Sequence, residues 1–326
     1  MFDPRSAYSR RMWHYESSNP LSVAQLVSLG SLDARTAALL WLLVEAHQSL
    51  IVSGPTDPTP GVGKTTTLNA LLGFVPNGST LVYTAGMYED FDWLDQVPPE
   101  STYVLANEVS DHLPIYMWGR HARKLLTLPE RDFAIATSCH ADTVADVLEM
   151  LGGDLRLPGD AIARLGVIVN IGLVGRIWPP RRRFLSVHLL QPMASAASAA
   201  SSAPAAAQAA TPVPRLTPAA VAAAQRFGAG LLPLALWNGK DDSFTPASPA
   251  ALSALAAALG TTPADVAATL ADRCARIEAL AQGRGVGLHA MREAIDEFYD
   301  AQAAAVPAQP DSSGPSSSPD ADSRDA

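Results

Sequence analysis

The chain contains a glycine-rich stretch followed by lysine and threonine, a combination typical of loops that bind phosphate. A short apolar run at residues 50–52 precedes it, and the segment 61–65, G-V-G-K-T, opens a stretch with leucines at helical spacing. In such a strand–loop–helix unit the glycine N–H groups turn toward phosphate oxygens, and the helix N-terminus adds positive potential. We therefore predict that Lys64 reaches the β- and γ-phosphates of a nucleotide and that the Thr65 hydroxyl is a ligand of Mg²⁺.

The loop departs from the usual spacing G-x-x-x-x-G-K-T, because Pro58 stands where the first glycine is expected. Omitting residues 57–60 restores a full match that begins at Gly54, so we interpret these residues as an insertion. The alternative is a surface turn that contains G-K-T by chance, and the flanking strand and helix argue against it. The predicted nucleotide-binding residues of the loop are Gly54, Gly61, Val62, Gly63, Lys64, Thr65 and Thr66.

Two further polar residues follow predicted buried strands. Residues 103–106 lead to Glu108, and residues 133–137 lead to His140. Because ligands of open α/β sheets bind at the carboxyl ends of the strands, we predict that Glu108 polarises the attacking water and that His140 contacts the γ-phosphate or senses its loss. Taken alone, a solvated strand end explains Glu108 equally well, and a lone histidine is more often a half-buried packing residue.

Composition restricts the classes of function. The chain has 326 residues, 32 acidic against 23 basic side chains, and a net charge of −9, which argues against general nucleic-acid binding. Cys139 and Cys274 are far apart and have no metal-like spacing, so we expect a reduced, cytoplasmic protein in which Cys139 packs in the core. We find no pattern of a leader peptide or of a transmembrane segment.

Composition also divides the chain into segments. Strands and helices alternate through most of the first half, which predicts an α/β fold with a mostly parallel sheet. We predict a hairpin from residues 167–174 and 184–190, with the arginine triplet 181–183 as a solvated tip. The predicted segments are a connector at 1–20, the P-loop core at 21–192, an Ala/Ser/Pro linker at 193–215, an Ala-rich helical region at 216–304 and a disordered tail at 305–326.

Several motifs together resemble the secretion ATPase superfamily, which powers type II and type IV secretion, type IV pili and archaeal flagella. In chain order they are N-P-L-S at 19–22, L-G-S-L at 29–32, the glycine loop at 54–67, N-E-V-S-D at 107–111 and T-S-C-H-A-D at 137–142. The similarity covers roughly residues 10–191, with a fainter one at 273–299. The resemblance implies a RecA-like P-loop core that binds ATP and Mg²⁺, a hexameric ring, and a cytoplasmic location at the membrane, where the ring acts on an inner-membrane platform protein.

Position by position, the resemblance makes Lys64 the Walker A lysine, Thr65 the hydroxyl on the Mg²⁺ side, Glu108 the Walker B glutamate and His140 the histidine of the His box. It also places Arg11, or its neighbour Arg10, where the family has phosphate-contacting arginines. The implied metal ligands are Thr65 and, through water, Glu108.

The chain also departs from the family pattern. Asn107 replaces a glycine, Ser110 replaces an arginine, and the acidic box after the second strand is lost unless Glu89 and Asp90 stand in for it. By this resemblance, we expect most of the family's large N-terminal domain to be absent. Two hypotheses therefore stand beside an ATP-hydrolysing motor: a catalytically impaired structural or regulatory relative, and a P-loop enzyme of another kind.

Overall fold

A computed structural model describes residues 20–56, 61–175, 180–193 and 216–305, and its centre is an eight-stranded sheet. The strand order is β2-β3-β4-β1-β5-β6-β7-β8. Strands β1 to β5 are parallel to their neighbours, and β6, β7 and β8 continue the sheet antiparallel. The strands are β1 Leu50–Gly54, β2 Thr80–Tyr83, β3 Thr102–Leu105, β4 Ala134–His140, β5 Val167–Val174, β6 Arg181–Pro192, β7 Ala229–Asn238 and β8 Ser243–Pro246.

Helices cover both faces of this sheet. The α-helices are α1 Val23–Ser28, α2 Ala34–Glu45, α3 Lys64–Leu71, α4 Gly119–Leu126, α5 Val144–Glu149, α6 Gly159–Ala163, α7 Pro218–Arg226, α8 Pro249–Ala258, α9 Pro263–Leu280 and α10 Leu288–Ala305. The predicted mixed α/β class with a mostly parallel sheet is confirmed, and the topology is compatible with the RecA-like core that the resemblance implies.

The two faces of the sheet bury separate apolar layers, because successive side chains of a strand point to opposite faces. In β1, Leu50 and Val52 join one layer with α1, α2, α3 and the C-terminal helices α8 to α10. Ile51 joins the other layer with α4, α5, α6 and α7. The central strands β1 and β3 are therefore buried at every position, as expected for parallel strands covered on both sides.

Polar residues fix where several helices begin. The Ser22 side chain accepts a hydrogen bond from Gln25 N, and the Gln25 side chain accepts one from Ser22 N, which forms a capping box for α1. The Asp33 carboxylate caps α2 through Thr36 N. These caps satisfy N–H groups that have no partner inside the helix.

The C-terminal region differs from its prediction. It was expected to be helical, but it contributes β7 and β8 to the core sheet. The apolar run of β7 pairs with β6 over the register Pro192↔Ala229 to Ser186↔Leu236, and this long-range pairing overrides the local helical composition. Pro233 is tolerated because β8 pairs only with residues 235–238, so no partner on that side requires its missing N–H.

The predicted hairpin is confirmed, since β5 and β6 pair antiparallel from Val167↔Leu189 to Val174↔Arg181. The solvated arginine tip is wrong for Arg183, whose side chain is only 6% exposed. The predicted connector, linker and tail fall almost wholly outside the described residues. No single described helix is long and apolar enough to cross a membrane, and α8 and α9 meet that test only as a pair bent by 101°.

Candidate active site

The glycine loop connects the end of β1 to the start of α3. Lys64 is the first residue of α3, and the preceding Gly63 has a φ of 100°, a left-handed conformation that glycine adopts without strain. Gly54, at the other end of the loop, lies so close to β5 that an added Cβ would be 2.7 Å from the backbone oxygen of Ile171. The inserted residues 57–60 lie outside the described part of the chain.

Three predicted catalytic side chains meet at the carboxyl ends of β1, β3 and β4. The Lys64 ammonium lies 2.9 Å from Nδ1 of His140 and 3.5 Å from the carbonyl oxygen of Pro55. On the other side of the ring, Nε2 of His140 lies 2.6 Å from Oε1 of Glu108. The sequence places these residues far apart, so their convergence is the main result of the fold for this site.

Strand pairing produces this convergence. Gly54 is in register with His140 across the parallel β1–β4 pair, so the loop and the histidine leave the sheet side by side. Val109 N donates to the Ser138 carbonyl at 2.8 Å, which holds the residues after β3 against β4 and brings Glu108 to the same edge. The edge is also where α3 packs on one face of the sheet while α4 and α5 pack on the other. Such a change of face opens the crevice that binds ligands in open α/β sheets.

Burial sets the charges of this triad. It lowers the pKa of His140 to about 4, and the positive charges of Lys64 and His112 add to the effect. Burial also lowers the pKa of Lys64 and raises that of Glu108. At neutral pH the imidazole is therefore uncharged, and because Nδ1 accepts from the Lys64 ammonium, the ring proton is on Nε2 and faces the glutamate.

Glu108 still has unused acceptor capacity. Its Oε1 is buried, and despite the short distance to His140 it accepts no aligned hydrogen bond from the described residues. A buried oxygen without such a bond is costly unless a ligand or water completes it. The arrangement can therefore accept a proton or orient a water molecule beside the loop.

The comparison with protein families matches residues 13–86 to the type II/IV secretion system protein family. The match supports a relationship of this part of the chain to the secretion ATPase family. The matched segment includes Gly54, Lys64 and Thr65 and ends before Glu108 and His140, so the similarity covers less than a quarter of the chain.

A curated relative matches over a shorter segment. The chain is 44% identical over 62 residues to an uncharacterized protein of Methanocaldococcus jannaschii. These residues are 19% of this chain and 10% of that protein, so the matched part spans about a tenth of the relative.

The other predicted loop residues have mixed surroundings. Gly61 and Thr65 are exposed, Thr66 is half-buried, and Val62 is buried in the core. The Thr65 hydroxyl is therefore open to a ligand, whereas Val62 acts through packing. Arg11 lies outside the described residues, so its predicted role stays a prediction. In the described part of the chain, no three His, Cys, Asp or Glu side chains group as a metal site.

Glu89 does not replace the acidic box of the secretion ATPase family. Its carboxylate is buried and accepts hydrogen bonds from Ala85 N at 2.7 Å, Phe91 N at 2.9 Å and the Trp93 indole at 2.9 Å. These bonds fold the segment after β2 around the glutamate. Glu89 is therefore a structural residue, and its three N–H donors explain why a carboxylate is tolerated in the core.

Cys139 is a packing residue, as predicted. Its thiol is fully buried, and burial raises the pKa to about 12, so no thiolate forms at neutral pH.

Two residues near the site were missed by the sequence reading. The His112 ring packs edge-on against His140 with centroids 5.1 Å apart, and its Nδ1 bonds to the Ser110 hydroxyl. Arg182 of β6 donates from Nη2 to the Gly61 carbonyl at 3.1 Å. The closeness of His112 to Glu108 in the sequence was an available signal for the first, whereas the second depends on the pairing of β5 with β6.

Proposed function

We propose that this chain is an ATP-binding and ATP-hydrolysing motor subunit of a type II or type IV secretion system or of a related pilus machine. The observation that carries the proposal is the meeting of Lys64, His140 and Glu108 beside the glycine loop, at the carboxyl ends of three parallel strands. The similarity of residues 13–86 to the type II/IV secretion system protein family supports the class of machine.

The described residues fit Mg²⁺–ATP. Mg²⁺ is bound in such sites by few protein oxygens together with substrate phosphates, and the exposed Thr65 hydroxyl and the Glu108 carboxylate supply oxygens of this kind. When bound, the metal neutralises phosphate charge. Lys64 would bind the β- and γ-phosphates, and the γ-phosphate would take the place of His140 as the partner of its ammonium. Glu108, whose pKa burial raises, is suited to orient the attacking water and accept its proton.

The released His140 would then report the γ-phosphate to neighbouring parts of the molecule. As in the family, we expect a homohexameric ring in the cytoplasm, peripherally associated with the cytoplasmic membrane, in which hydrolysis moves a membrane platform protein. Both the ring and the platform protein are proposals taken from the family.

A second candidate is a structural or regulatory relative that binds nucleotide without turning it over. Two observations favour it. Glu89 is committed to internal hydrogen bonds, so this glutamate does not replace the family's acidic box. In addition, His140 is the hydrogen-bond partner of the Lys64 ammonium, and nucleotide must displace the ring before the lysine binds phosphate.

Phosphate release from ATP, measured on the full chain with and without Mg²⁺, separates the candidates. For a motor, we expect Mg²⁺-dependent turnover that falls by about a hundredfold or more in both Lys64→Ala and Glu108→Gln. Nucleotide binding should be lost in Lys64→Ala and kept in Glu108→Gln. Lys124→Ala removes an exposed lysine of α4 and serves as the control with wild-type turnover.

Each result decides one point. Binding without phosphate release supports the structural relative. Full turnover by Lys64→Ala rejects the site, because the lysine would then be dispensable. A wild-type chain that neither binds nor hydrolyses nucleotide rejects both candidates.

A further inference from the structure

A cavity of about 370 Å³ lies next to the glycine loop, between α1 and the first residues of β6. Gly61, Gly63 and Thr66 border it on the loop side, and the arginines of β6 border it on the sheet side. Its other walls are mainly apolar, formed by Leu21, Leu26, Leu29, Ile171 and Phe184. Lys64, His140 and Glu108 are not among the lining residues, so the loop has a second open space beside it.

The three arginines that enter this region do not have equivalent surroundings. The carboxylate of Asp242, in the turn between β7 and β8, accepts two hydrogen bonds from Arg183. Nε donates at 2.7 Å and Nη2 at 2.8 Å, which makes the contact bidentate. Arg181 donates to the same carboxylate at 2.6 Å, and the Trp237 indole donates at 2.8 Å. These hydrogen bonds hold the pKa of Asp242 well below its usual range. Arg181 and Arg183 are therefore committed to one anion.

Arg182 lies between them in the sequence and points to the other face of the strand. Its guanidinium donates to the Gly61 carbonyl at 3.1 Å, and its Cδ would be 3.5 Å from a Cβ built on Gly63. No described carboxylate forms an ion pair with it. Since a guanidinium has five N–H donors, most of its donors remain available beside the loop.

We propose that Arg182 is a phosphate-binding residue of this site, a cation that β6 supplies to the glycine loop. The proposal rests on the proposed nucleotide site. Its ligand is the triphosphate group of a nucleoside triphosphate. The phosphate oxygens match the paired N–H donors of a guanidinium better than they match a lysine ammonium. Lys64 approaches the loop from the side of β4, and Arg182 approaches it from β6, so the phosphates are held between two cations.

Asp242 is a positioning residue in this arrangement. By binding Arg181 and Arg183 it fixes the start of β6, so that Arg182 faces the loop. The carboxylate also compensates two neighbouring positive charges and leaves the charge of Arg182 for a ligand. Asp242→Asn should therefore weaken phosphate binding indirectly, with less effect than removal of Arg182 itself.

The test is a fluorescence titration of the full chain with a methylanthraniloyl derivative of ATP, followed by competition with inorganic tripolyphosphate. Arg182→Ala should raise the dissociation constant by about tenfold to a hundredfold, as expected for a lost charge-assisted hydrogen bond. Arg182→Lys should fall in between. The control Lys240→Ala removes an exposed cation from the nearby β7–β8 turn and should bind like the wild type.

Tripolyphosphate separates phosphate contact from loop stability. If Arg182 binds phosphate, tripolyphosphate should compete about tenfold more weakly against Arg182→Ala, with an unchanged unfolding midpoint, and added salt should reduce the difference from the wild type. Equal dissociation constants for Arg182→Ala and the wild type overturn the role of Arg182 and leave the site intact. A variant that loses binding together with its unfolding midpoint also overturns it, because the residue would then be structural. If the wild type binds no nucleotide, the proposed function fails as well.

Discussion

At the scale of single residues, contacts fix the two ends of the glycine loop. Gly54 touches the backbone of β5, Gly63 adopts a left-handed conformation, and Lys64 is buried against His140. The lysine and the glycines therefore have fixed positions before any ligand arrives. Preorganisation of this kind reduces the entropy that binding must overcome.

Gly54→Ala tests how closely the loop is packed. Its added Cβ would meet the Ile171 oxygen at 2.7 Å and the Val62 side chain at 3.1 Å, so the backbone of β5 must shift. We expect the free energy of unfolding in urea to fall by about 1–3 kcal/mol. Gly61→Ala is the matched control, since nothing lies within 4 Å of its Cβ, and it should change stability by less than about 0.5 kcal/mol. Equal stability of the two variants would show that the end of β1 is loosely packed.

Some of these residues follow directly from the sequence and others do not. Glu108 and His140 each come at or just after the end of a predicted strand, and Lys64 follows the loop after another. Parallel strands bring their carboxyl ends to one edge. The position of Arg182 depends on the pairing of β6 with β5. Asp242 comes close to the arginines only because β7 pairs with β6, and no local pattern records that second pairing. Glu89 had the right residue type and spacing for a ligand, but its hydrogen bonds are visible only in three dimensions.

At the scale of elements, the C-terminal helices are part of the core. Trp41 of α2 stacks on Phe74 with ring centroids 5.3 Å apart. Phe298 of α10 packs edge-on against Trp41, with ring centroids 4.8 Å apart. Arg273 of α9 lies over the Trp41 ring and pairs with Glu45 of α2. The fainter sequence similarity at residues 273–299 thus lies in helices that pack against α2.

Tyr299→Phe tests the attachment of α10. The Tyr299 hydroxyl accepts from the Trp41 indole at 2.9 Å and donates to the Phe74 carbonyl at 2.8 Å, and both contacts are buried. Removing the hydroxyl leaves two buried groups unpaired, so we expect a loss of about 1–3 kcal/mol in the free energy of unfolding. Tyr88→Phe is the control, because Tyr88 is 78% exposed.

Urea unfolding followed by both circular dichroism and tryptophan fluorescence gives this readout. If the helices fold with the core, the two signals of the variant shift together. Separate transitions would show that α10 detaches before the sheet unfolds.

The Ala-rich composition explains why these elements were difficult to predict. Helices α8 and α9 have clear start signals, with Ser248 and Thr262 as caps and a proline directly after each. Strand β7 has an uninterrupted apolar run and no alternation, so periodicity does not separate it from a buried helix. Only its pairing with β6 identifies this segment as a strand.

At the scale of the whole molecule, one sheet connects the candidate site to the C-terminal region. Strand β6 carries Arg182 near its start and then pairs with β7 over most of its length. The same strand contains His188, a fully enclosed imidazole between β5 and β7. A change that unfolds the antiparallel half of the sheet would therefore also remove the arginine from the loop.

His188 makes the stability of the whole chain depend on pH. Burial lowers its pKa from 6.5 to about 4, and its Nδ1 has no hydrogen-bond partner among the described residues. Between these pH values the unfolded chain takes up a proton that the folded chain refuses, so stability falls as the pH decreases from 6.5 toward 4. A single group of this kind contributes a slope of up to about 1.4 kcal/mol per pH unit.

Urea unfolding at several pH values between 5 and 8 measures this slope, and we expect His188→Gln to reduce it below about pH 6.5, because the variant has no imidazole to protonate. The pKa of His140 is also lowered to about 4, so this residue contributes to the slope in the same direction. The variant His188→Gln should therefore keep part of the slope, and a double variant with His140→Gln should lose more of it. From pH 7 to 8 both imidazoles are neutral in the folded and unfolded chains, and there neither substitution should change the slope. A wild-type slope retained by His188→Gln below pH 6.5 would mean that water reaches the ring and that the antiparallel half of the sheet opens in the native state.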